Sequence, residues 1–296
     1  MIYMSMKFKG LGTALVTPFK NGKVDENAYR ATVARQMEAG VDFLVPLGST
    51  AETPCLSDDE KVRLVQITRE MAPGVPMVAG VGSNSLTGTV RNMRLLDSLD
   101  LQAYLVVVPF YNKPTQEGLY QYFKAVAQET DRDMILYNVP GRTGTNMKAE
   151  TTLRLAHDVP NVVAVKEASG DVAQIVDIKR QAPDGFTVLS GNDDQTLPLM
   201  ASGIDGVISV ASNVAPKMMK ELVDAVFAGD LQKAICLNDK LMPLYNALFV
   251  ESNPIPAKAA LKLLGLCEDE MRLPLTPAVG STEKLLKEVM SGLGLL

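Results

Sequence analysis

Histidine is almost absent from this sequence: His157 is the only one among 296 residues, and no tryptophan occurs. It lies in the segment 151–157, which has a helical pattern, so we expect its ring in solvent and look elsewhere for the groups that move protons. The three cysteines, Cys55, Cys236 and Cys267, are scattered and lack CxxC spacing. We therefore expect no disulfide framework, no metal site and a reducing, cytoplasmic location.

Basic charge is also scarce, with 29 Lys and Arg against 34 Asp and Glu, a net charge of -5 and 5% aromatic residues. These values argue against a nucleic-acid partner. The sequence has no apolar run long enough for a membrane helix and no apolar amino-terminal stretch typical of a signal peptide. Hydrophobic residues make up 47% of the chain, so we expect a soluble globular protein with a large core and no membrane partner.

Eight short apolar runs alternate with amphipathic segments. The runs lie at 11–19, 43–48, 76–82, 103–110, 133–140, 162–169, 186–192 and 206–212. Between them, segments such as 25–40 and 57–72 start with Asp or Ser and end at Gly or Pro, as capped helices do. This alternation predicts an α/β fold, a (β/α)8 TIM barrel rather than an open doubly wound sheet, over residues 1–228. After about residue 214 the chain has four helical segments, and we predict a C-terminal helical region over 229–296.

Lys166 is a cation within an apolar run that otherwise has the pattern of a buried strand. Because side chains alternate along a strand, Val162, Ala164 and Lys166 share one face. Burial disfavours the charged form of an amine, and a neutral amine can attack a carbonyl, which suggests a Schiff-base lysine. The alternative is a lysine whose stem packs while its head reaches solvent, with Glu167 as a partner.

Barrel enzymes carry their chemistry at the carboxyl ends of the strands. Polar candidates and one glycine lie at or after the ends of five of the predicted strands, and these are Ser49, Thr50, Tyr111, Tyr137, Arg142, Lys166 and Gly191. Hydroxyls can hold an anion or relay protons, and an arginine can grip a carboxylate. Each has a simpler interpretation: Ser49 and Thr50 as a helix cap, the tyrosines as packing residues, and Arg142 as a solvated side chain in a turn. Gly191 would allow a close backbone approach.

Four segments resemble the 4-hydroxy-tetrahydrodipicolinate synthase family, also called dihydrodipicolinate synthase. They are YNVPGRTG at 137–144, VKEASGD at 165–171, LSGNDDQTLPLMASGIDGVISVASN at 189–213 and ESNPIPAK at 251–258. The resemblance extends over nearly the whole chain. It implies a lyase of the class I, pyruvate-dependent aldolase type, with a (β/α)8 barrel, a C-terminal helical part and a homotetramer built as a dimer of dimers.

The resemblance also implies a reaction. Lys166 would form an imine with pyruvate, which serves in place of a cofactor, and Tyr137 would relay protons as the enamine forms. The enamine would attack the aldehyde of L-aspartate 4-semialdehyde, in the diaminopimelate route of lysine biosynthesis. Cyclisation and release of the lysine would follow.

Further roles are implied by position in the family's motifs. Ser49 and Tyr111 would complete the proton relay with Tyr137, and the residue matching Tyr111 is donated across the dimer interface in the family. Arg142 would bind the carboxylate of the semialdehyde. The other substrate-binding positions are Thr50, which would hold the pyruvate carboxylate, Gly191 and Ile208.

Two residues depart from the family pattern, which has threonine at Ser49 and glycine at Ala51. Serine keeps the hydroxyl but lacks the methyl group that restricts its rotamer. Alanine would be strained if position 51 required a positive φ. We expect an intact relay that is less rigidly aimed.

The second departure from the family pattern concerns feedback inhibition by L-lysine. Some members bind L-lysine at a dimer-interface site; Asn84 matches that site, but Gly88 replaces its acid, Phe110 its tyrosine, and Asp58 and Lys61 its histidines. Without the acid and the phenol, the ammonium and carboxylate of lysine each lose a partner. We expect weak or absent feedback.

Two alternatives remain at this stage. A sister aldolase, such as N-acetylneuraminate lyase or a 2-keto-3-deoxy sugar-acid aldolase, would share the tyrosine and the lysine but not the arginine turn around Arg142. A catalytically inactive barrel used for binding would lack one of the core groups, and none is missing.

Overall fold

The computed structural model describes residues 8–296. Clustering of contacts divides the chain into two units. Unit 1 comprises residues 8–10 and Pro76–Ile208, and unit 2 comprises Leu11–Val75 and Ser209–Leu296. The predicted domain boundary after residue 228 falls between two helices and stays a prediction.

Eight strands form one sheet, and all eight predicted strands are present. They are β1 (Gly10–Ala14), β4 (Phe43–Val45), β5 (Val78–Gly80), β6 (Ala103–Val107), β7 (Asp133–Asn138), β8 (Val162–Glu167), β9 (Thr187–Ser190) and β10 (Gly206–Ser209). Their hydrogen-bonded order is β4-β1-β10-β9-β8-β7-β6-β5, so the first strand lies beside the last. An open doubly wound sheet would not join its first and last strands, and the predicted (β/α)8 fold is confirmed.

A short antiparallel hairpin, β2 (Phe19–Lys20) with β3 (Lys23–Val24), was not predicted. It is too short for a periodic pattern.

The helices occupy the predicted amphipathic segments. They are α1 (Glu26–Ala39), α2 (Asp58–Met71), α3 (Leu86–Leu96), α4 (Gln116–Ala127), α5 (Pro140–Thr143), α6 (Ala149–Asp158), α7 (Val172–Gln181), α8 (Thr196–Ala201), α9 (Pro216–Phe227), α10 (Leu231–Ala247), α11 (Ile255–Leu263) and α12 (Gly280–Gly292). Helices α10 to α12 lie in the region predicted to be helical, and the predicted C-terminal helices are therefore present. His157 lies exposed on α6, as expected.

Helix caps explain where α1 and α2 begin and end. The Asp25 carboxylate accepts the Ala28 N–H, and Gly40 ends α1 in the left-handed conformation with φ 73°. Ser57 and Glu60 form a reciprocal capping box at the start of α2. The strands are shorter than the apolar runs that predicted them. β4, for example, ends at Val45 because Pro46 has no N–H to donate to a neighbour.

Strands β7 and β8 carry the residues of most interest, and both are buried on their two faces. This burial is typical of a parallel sheet covered by helices. Within residues 8–296, no helix combines the length and apolar character needed to cross a membrane.

Candidate active site

Lys166 and Tyr137 lie side by side on neighbouring strands of unit 1. The β7–β8 register pairs the two residues directly, so their side chains share a face. Lys166 is 5% exposed and Tyr137 is 7% exposed. The lysine Nζ lies 4.3 Å from the centroid of the tyrosine ring. The amine therefore lies in a buried environment beside a phenol. The alternative, in which the head group of Lys166 reaches solvent, does not agree with this burial.

Gly191 follows β9 and closes one side of this lysine. Its N–H donates to the Glu167 carbonyl oxygen at 2.7 Å. A Cβ at position 191 would lie 2.6 Å from the Cβ of Ala168 and 3.1 Å from the Cε of Lys166. Glycine is thus required for the backbone to approach this closely, as the sequence predicted.

Glu167 makes its hydrogen bonds with other residues than Lys166, the partner considered for it from the sequence. It lies on the opposite face of β8 from Lys166, fully buried. Its carboxylate accepts hydrogen bonds from the Asn138 Nδ2 at 3.0 and 3.1 Å, the Ser169 N–H at 2.9 Å and the Gln174 Nε2 at 3.0 Å. Burial raises the pKa of this carboxyl, while the hydrogen bonds oppose the shift.

Asn138 extends this network to the segment that carries Arg142. It pairs with Glu167 in the β7–β8 register. Its side chain accepts the Met147 N–H at 2.9 Å and donates to the Asn146 Oδ1 at 2.7 Å. The two strands and the following loop are therefore held together directly behind Tyr137 and Lys166. Sequence reasoning missed this role, because the partners are polar residues in separate segments.

Arg142 lies in the short helix α5, which ends at Gly144 with φ 72°. Arg142 is exposed. The predicted turn is a single helical turn that begins with Pro140, whose fixed φ suits that position.

Tyr111 differs sharply from Tyr137. It is 88% exposed, and its φ of 74° places a bulky residue in the left-handed region. Such a conformation costs on the order of 1–3 kcal/mol and occurs often at functional sites. Ile208 has no exposed surface and lies on β10, which pairs with β9 beside it.

Ser49 and Thr50 lie in unit 2, in a 3-10 helix over Ser49–Ala51. Ser49 is exposed, whereas Thr50 is 2% exposed and its Oγ1 accepts a hydrogen bond from the Asn253 Nδ2 at 2.9 Å. Neither hydroxyl caps the following α-helix, because Ser57 caps α2. The simple interpretation of these residues as a helix cap is therefore wrong.

Ala51 does not occupy a conformation that would demand glycine. The residues with positive φ in this segment are Leu47 at 58° and Glu52 at 53°. The departure at position 51 therefore introduces no backbone strain. Within the described part of the chain, no cluster of three or more His, Cys, Asp or Glu residues could hold a metal ion.

The (β/α)8 fold places a buried lysine beside a tyrosine, which are the nucleophile and the proton-transfer group that a Schiff-base enzyme needs. Residues 7–292 match the model of the dihydrodipicolinate synthetase family. The chain is 50% identical over 293 residues to 4-hydroxy-tetrahydrodipicolinate synthase of Thermotoga neapolitana, covering 98% of this chain and 100% of that one. The chain belongs to the dihydrodipicolinate synthetase family.

Solved structures are similar over the same length. A crystal structure of dihydrodipicolinate synthase from Thermotoga maritima has a TM-score of 0.96 and 49% identity, covering 98% of this chain and 100% of that one. A lysine-bound structure of the enzyme from Cyanidioschyzon merolae has a TM-score of 0.95 and 40% identity, covering 99% and 100% of the two chains. The fold and the family predicted from the sequence are both confirmed.

Proposed function

We infer that the protein condenses pyruvate with L-aspartate 4-semialdehyde, the reaction of 4-hydroxy-tetrahydrodipicolinate synthases. The observation that carries this inference is the buried amine of Lys166 against the ring of Tyr137 on the neighbouring strand. A desolvated amine beside a phenol has the nucleophile and the proton-transfer group that imine formation requires. Membership of the family names the two substrates.

The proposed reaction begins when the Lys166 amine attacks the C2 carbonyl of pyruvate and water leaves, forming an imine. Loss of a proton from the pyruvate methyl group gives an enamine, whose carbon attacks the aldehyde of the semialdehyde. The amino group of that substrate then attacks the imine carbon, which closes the ring and releases Lys166. No cofactor is needed, because the imine itself accepts the electron pair.

Three hydroxyls take the proton transfers in this proposal: Tyr137, Ser49 and Tyr111. Thr50 holds the pyruvate carboxylate, and Arg142 binds the carboxylate of the semialdehyde through two parallel hydrogen bonds. Gly191 and Ile208 are further substrate-binding positions. The exposure of Arg142 and the backbone approach at Gly191 support their roles. The roles of Ser49, Thr50 and Ile208 rest on the family motif.

We further propose that Tyr111 acts in the site of a neighbouring subunit, in a homotetramer built from dimers. Its 88% exposure and strained backbone support this, because a partner could bury the ring and offset the strain. We also propose a cytoplasmic location, which the scattered cysteines lead us to expect.

Weak or absent lysine feedback also remains part of the proposal. A Cβ at Gly88 would lie 2.6 Å from the Ser83 Oγ, so an acidic side chain at this position would require the Ser83 hydroxyl to move. Asp58 and Lys61 pair with each other at 3.2 Å. Assays with L-lysine in the low millimolar range should show unchanged rates, and clear inhibition would contradict the proposal.

A substrate panel tests the proposed function against the sister aldolases. The purified protein is assayed with pyruvate plus L-aspartate 4-semialdehyde, and separately with N-acetylneuraminate and with 2-keto-3-deoxy sugar acids. We expect turnover of the semialdehyde to dominate, and replacing Arg142 by Ala to raise KM for the semialdehyde far more than KM for pyruvate. Preferred cleavage of a sugar acid would favour a sister aldolase instead.

A further inference from the structure

Glu52 closes the 3-10 helix that carries Ser49 and Thr50. Its N–H donates to the Ser49 carbonyl oxygen at 3.2 Å, and its φ of 53° and ψ of 36° lie in the left-handed region. Glycine adopts this conformation readily, whereas glutamate adopts it at a cost in free energy. A glutamate in this conformation is worth its cost only if its side chain makes compensating contacts.

That carboxylate is fully buried and bound at both oxygens. The Lys258 Nζ donates to its Oε1 at 2.7 Å, and neither side chain of this pair has exposed surface. The Arg272 N–H donates to its Oε2 at 3.1 Å. Lys258 also donates to the Glu270 carbonyl oxygen at 2.6 Å and lies 4.1 Å from the centroid of the Phe19 ring. The loop is therefore tied to α11 and to the segment that follows it.

The lysine of this pair depends on its partner. Burial lowers the pKa of Lys258, and the Glu52 carboxylate opposes that shift by stabilising the ammonium form. The hydrogen bonds on Glu52 and Lys258 join the loop both to α11 and to backbone groups of Glu270 and Arg272, so the pair fixes the loop at more than one point. An apolar pair of the same volume would fill the space without fixing an orientation.

A second contact joins the same two segments. The Asn253 Nδ2 donates to the Thr50 Oγ1 at 2.9 Å, and both residues are almost fully buried. Asn253 and Lys258 belong to one stretch of the C-terminal helical region. One stretch thus holds the loop at Thr50 and at Glu52.

We propose that Glu52 and Lys258 are positioning residues, whose buried ion pair holds Ser49 and Thr50 in place to receive pyruvate. This inference rests on the proposed function, because it assumes that those two hydroxyls act on pyruvate. It gives the C-terminal helical region a role in the reaction, although none of its residues touches the reacting atoms.

Three variants test this proposal: Glu52→Asp, the double variant Glu52→Gln/Lys258→Met, and Lys262→Met as the matched control. Asp keeps the charge but withdraws it by one methylene, and the double variant replaces the ion pair with neutral side chains of similar volume. Lys262 lies on the same helix, partly exposed, with a surface ion pair to Asp269 at 2.9 Å. For each variant, Tm, kcat and KM for pyruvate are measured on the full-length protein.

We expect KM for pyruvate to rise roughly tenfold or more in Glu52→Asp and in the double variant, because a small displacement of binding groups weakens binding strongly. The double variant should keep most of the wild-type Tm, because neutral side chains of similar volume replace the buried pair, yet show the raised KM. Lys262→Met should match the wild type. A role confined to stability would instead make KM follow Tm. Wild-type KM in the double variant, or in Glu52→Asp if the double variant does not fold, would overturn the proposal.

Borohydride reduction of the wild-type protein with pyruvate separates this proposal from the proposed function. Absence of an adduct in the wild type would contradict the proposed function itself. An adduct that forms equally fast at low pyruvate concentration in wild type and both test variants would leave the function intact and overturn the role of Glu52 and Lys258.

Discussion

At the scale of single residues, the space around Lys166 is limited by Gly191. The backbone of Gly191 passes so close to β8 that a Cβ would lie 2.6 Å from the Cβ of Ala168, closer than atoms of real side chains approach. The same Cβ would lie 3.1 Å from the Lys166 side chain. A methyl group here would therefore push on the amine-bearing side chain as well as on the strand.

Replacing Gly191 by Ala should lower the free energy of unfolding by about 1–3 kcal/mol, because an added methyl group overpacks the site. It should also slow imine formation with pyruvate, by roughly tenfold or more, because Lys166 is displaced. Thermal unfolding and borohydride trapping measure the two effects. Gly280→Ala is the control, since a Cβ there meets no atom within 4 Å. Wild-type trapping by the Gly191→Ala variant would contradict this account.

Two buried lysines show which features of a site a local sequence pattern can predict. Lys166 was found in the sequence because a cation interrupts a strand-like apolar run. Lys258 has the same signal, since it stands in the apolar segment IPAKAALKL of α11. Its partner Glu52, however, is 206 residues away, so no local pattern could connect the two.

At the scale of elements, the strands and helices were largely predictable. Buried parallel strands are nearly continuous apolar runs, and caps such as Asp25 and Ser57 mark where helices begin. The β2–β3 hairpin was not predictable in this way, because a two-residue strand is too short to show a periodic pattern. The apolar run that predicted β4 extends beyond the strand itself, which ends at Val45. The polar network behind β7 and β8 depends on the pairing register of the two strands, which cannot be predicted from the sequence pattern.

Helix α2 offers a test of electrostatics at its first turn. Arg272 donates to Glu60 at 2.6 and 2.7 Å, which holds the pKa of that carboxyl below its usual value of 4.5. A lowered folded-state pKa contributes stability above the unfolded value, and this contribution is lost as the pH falls through the folded value.

Replacing Glu60 by Gln should lower the free energy of unfolding by about 1 kcal/mol at neutral pH, since the charge-assisted pair with Arg272 is lost. Below pH 4.5 the difference in Tm from the wild type should shrink, because Glu60 gains its proton first in the unfolded chain and, as the pH falls through its lowered folded pKa, in the folded protein as well. Asp177→Asn, which removes an exposed ion pair with Arg180 at 2.8 Å, should change Tm little. A difference for Glu60→Gln that stays constant with pH would contradict the assignment.

At the scale of the whole molecule, unit 2 joins the C-terminal helices to the amino-terminal part of the barrel. The predicted boundary after residue 228 instead follows the end of the barrel in the sequence. Contacts such as Glu52 with Lys258 and Thr50 with Asn253 explain why residues so distant in the chain cluster together. Such long-range pairs are the part of the architecture that sequence patterns do not contain.

The proposed sharing of Tyr111 between subunits predicts complementation. Tyr111→Phe and Lys166→Met should each be nearly inactive alone. When they are co-expressed, random pairing places wild-type Lys166 beside a wild-type Tyr111 of the partner in about a quarter of the sites. Activity should return to about that fraction of the wild-type value. Hetero-oligomers isolated with two different tags that remain inactive would contradict the sharing.

Lys166 as the imine-forming nucleophile is the central claim, and reductive trapping tests it most directly. The wild-type protein is treated with borohydride in the presence and absence of pyruvate, digested, and mapped by mass spectrometry. We predict a reduced pyruvate adduct on the peptide containing Lys166, formed only with pyruvate and lost in Lys166→Met. An adduct on another lysine such as Lys258, or none at all, would contradict the account.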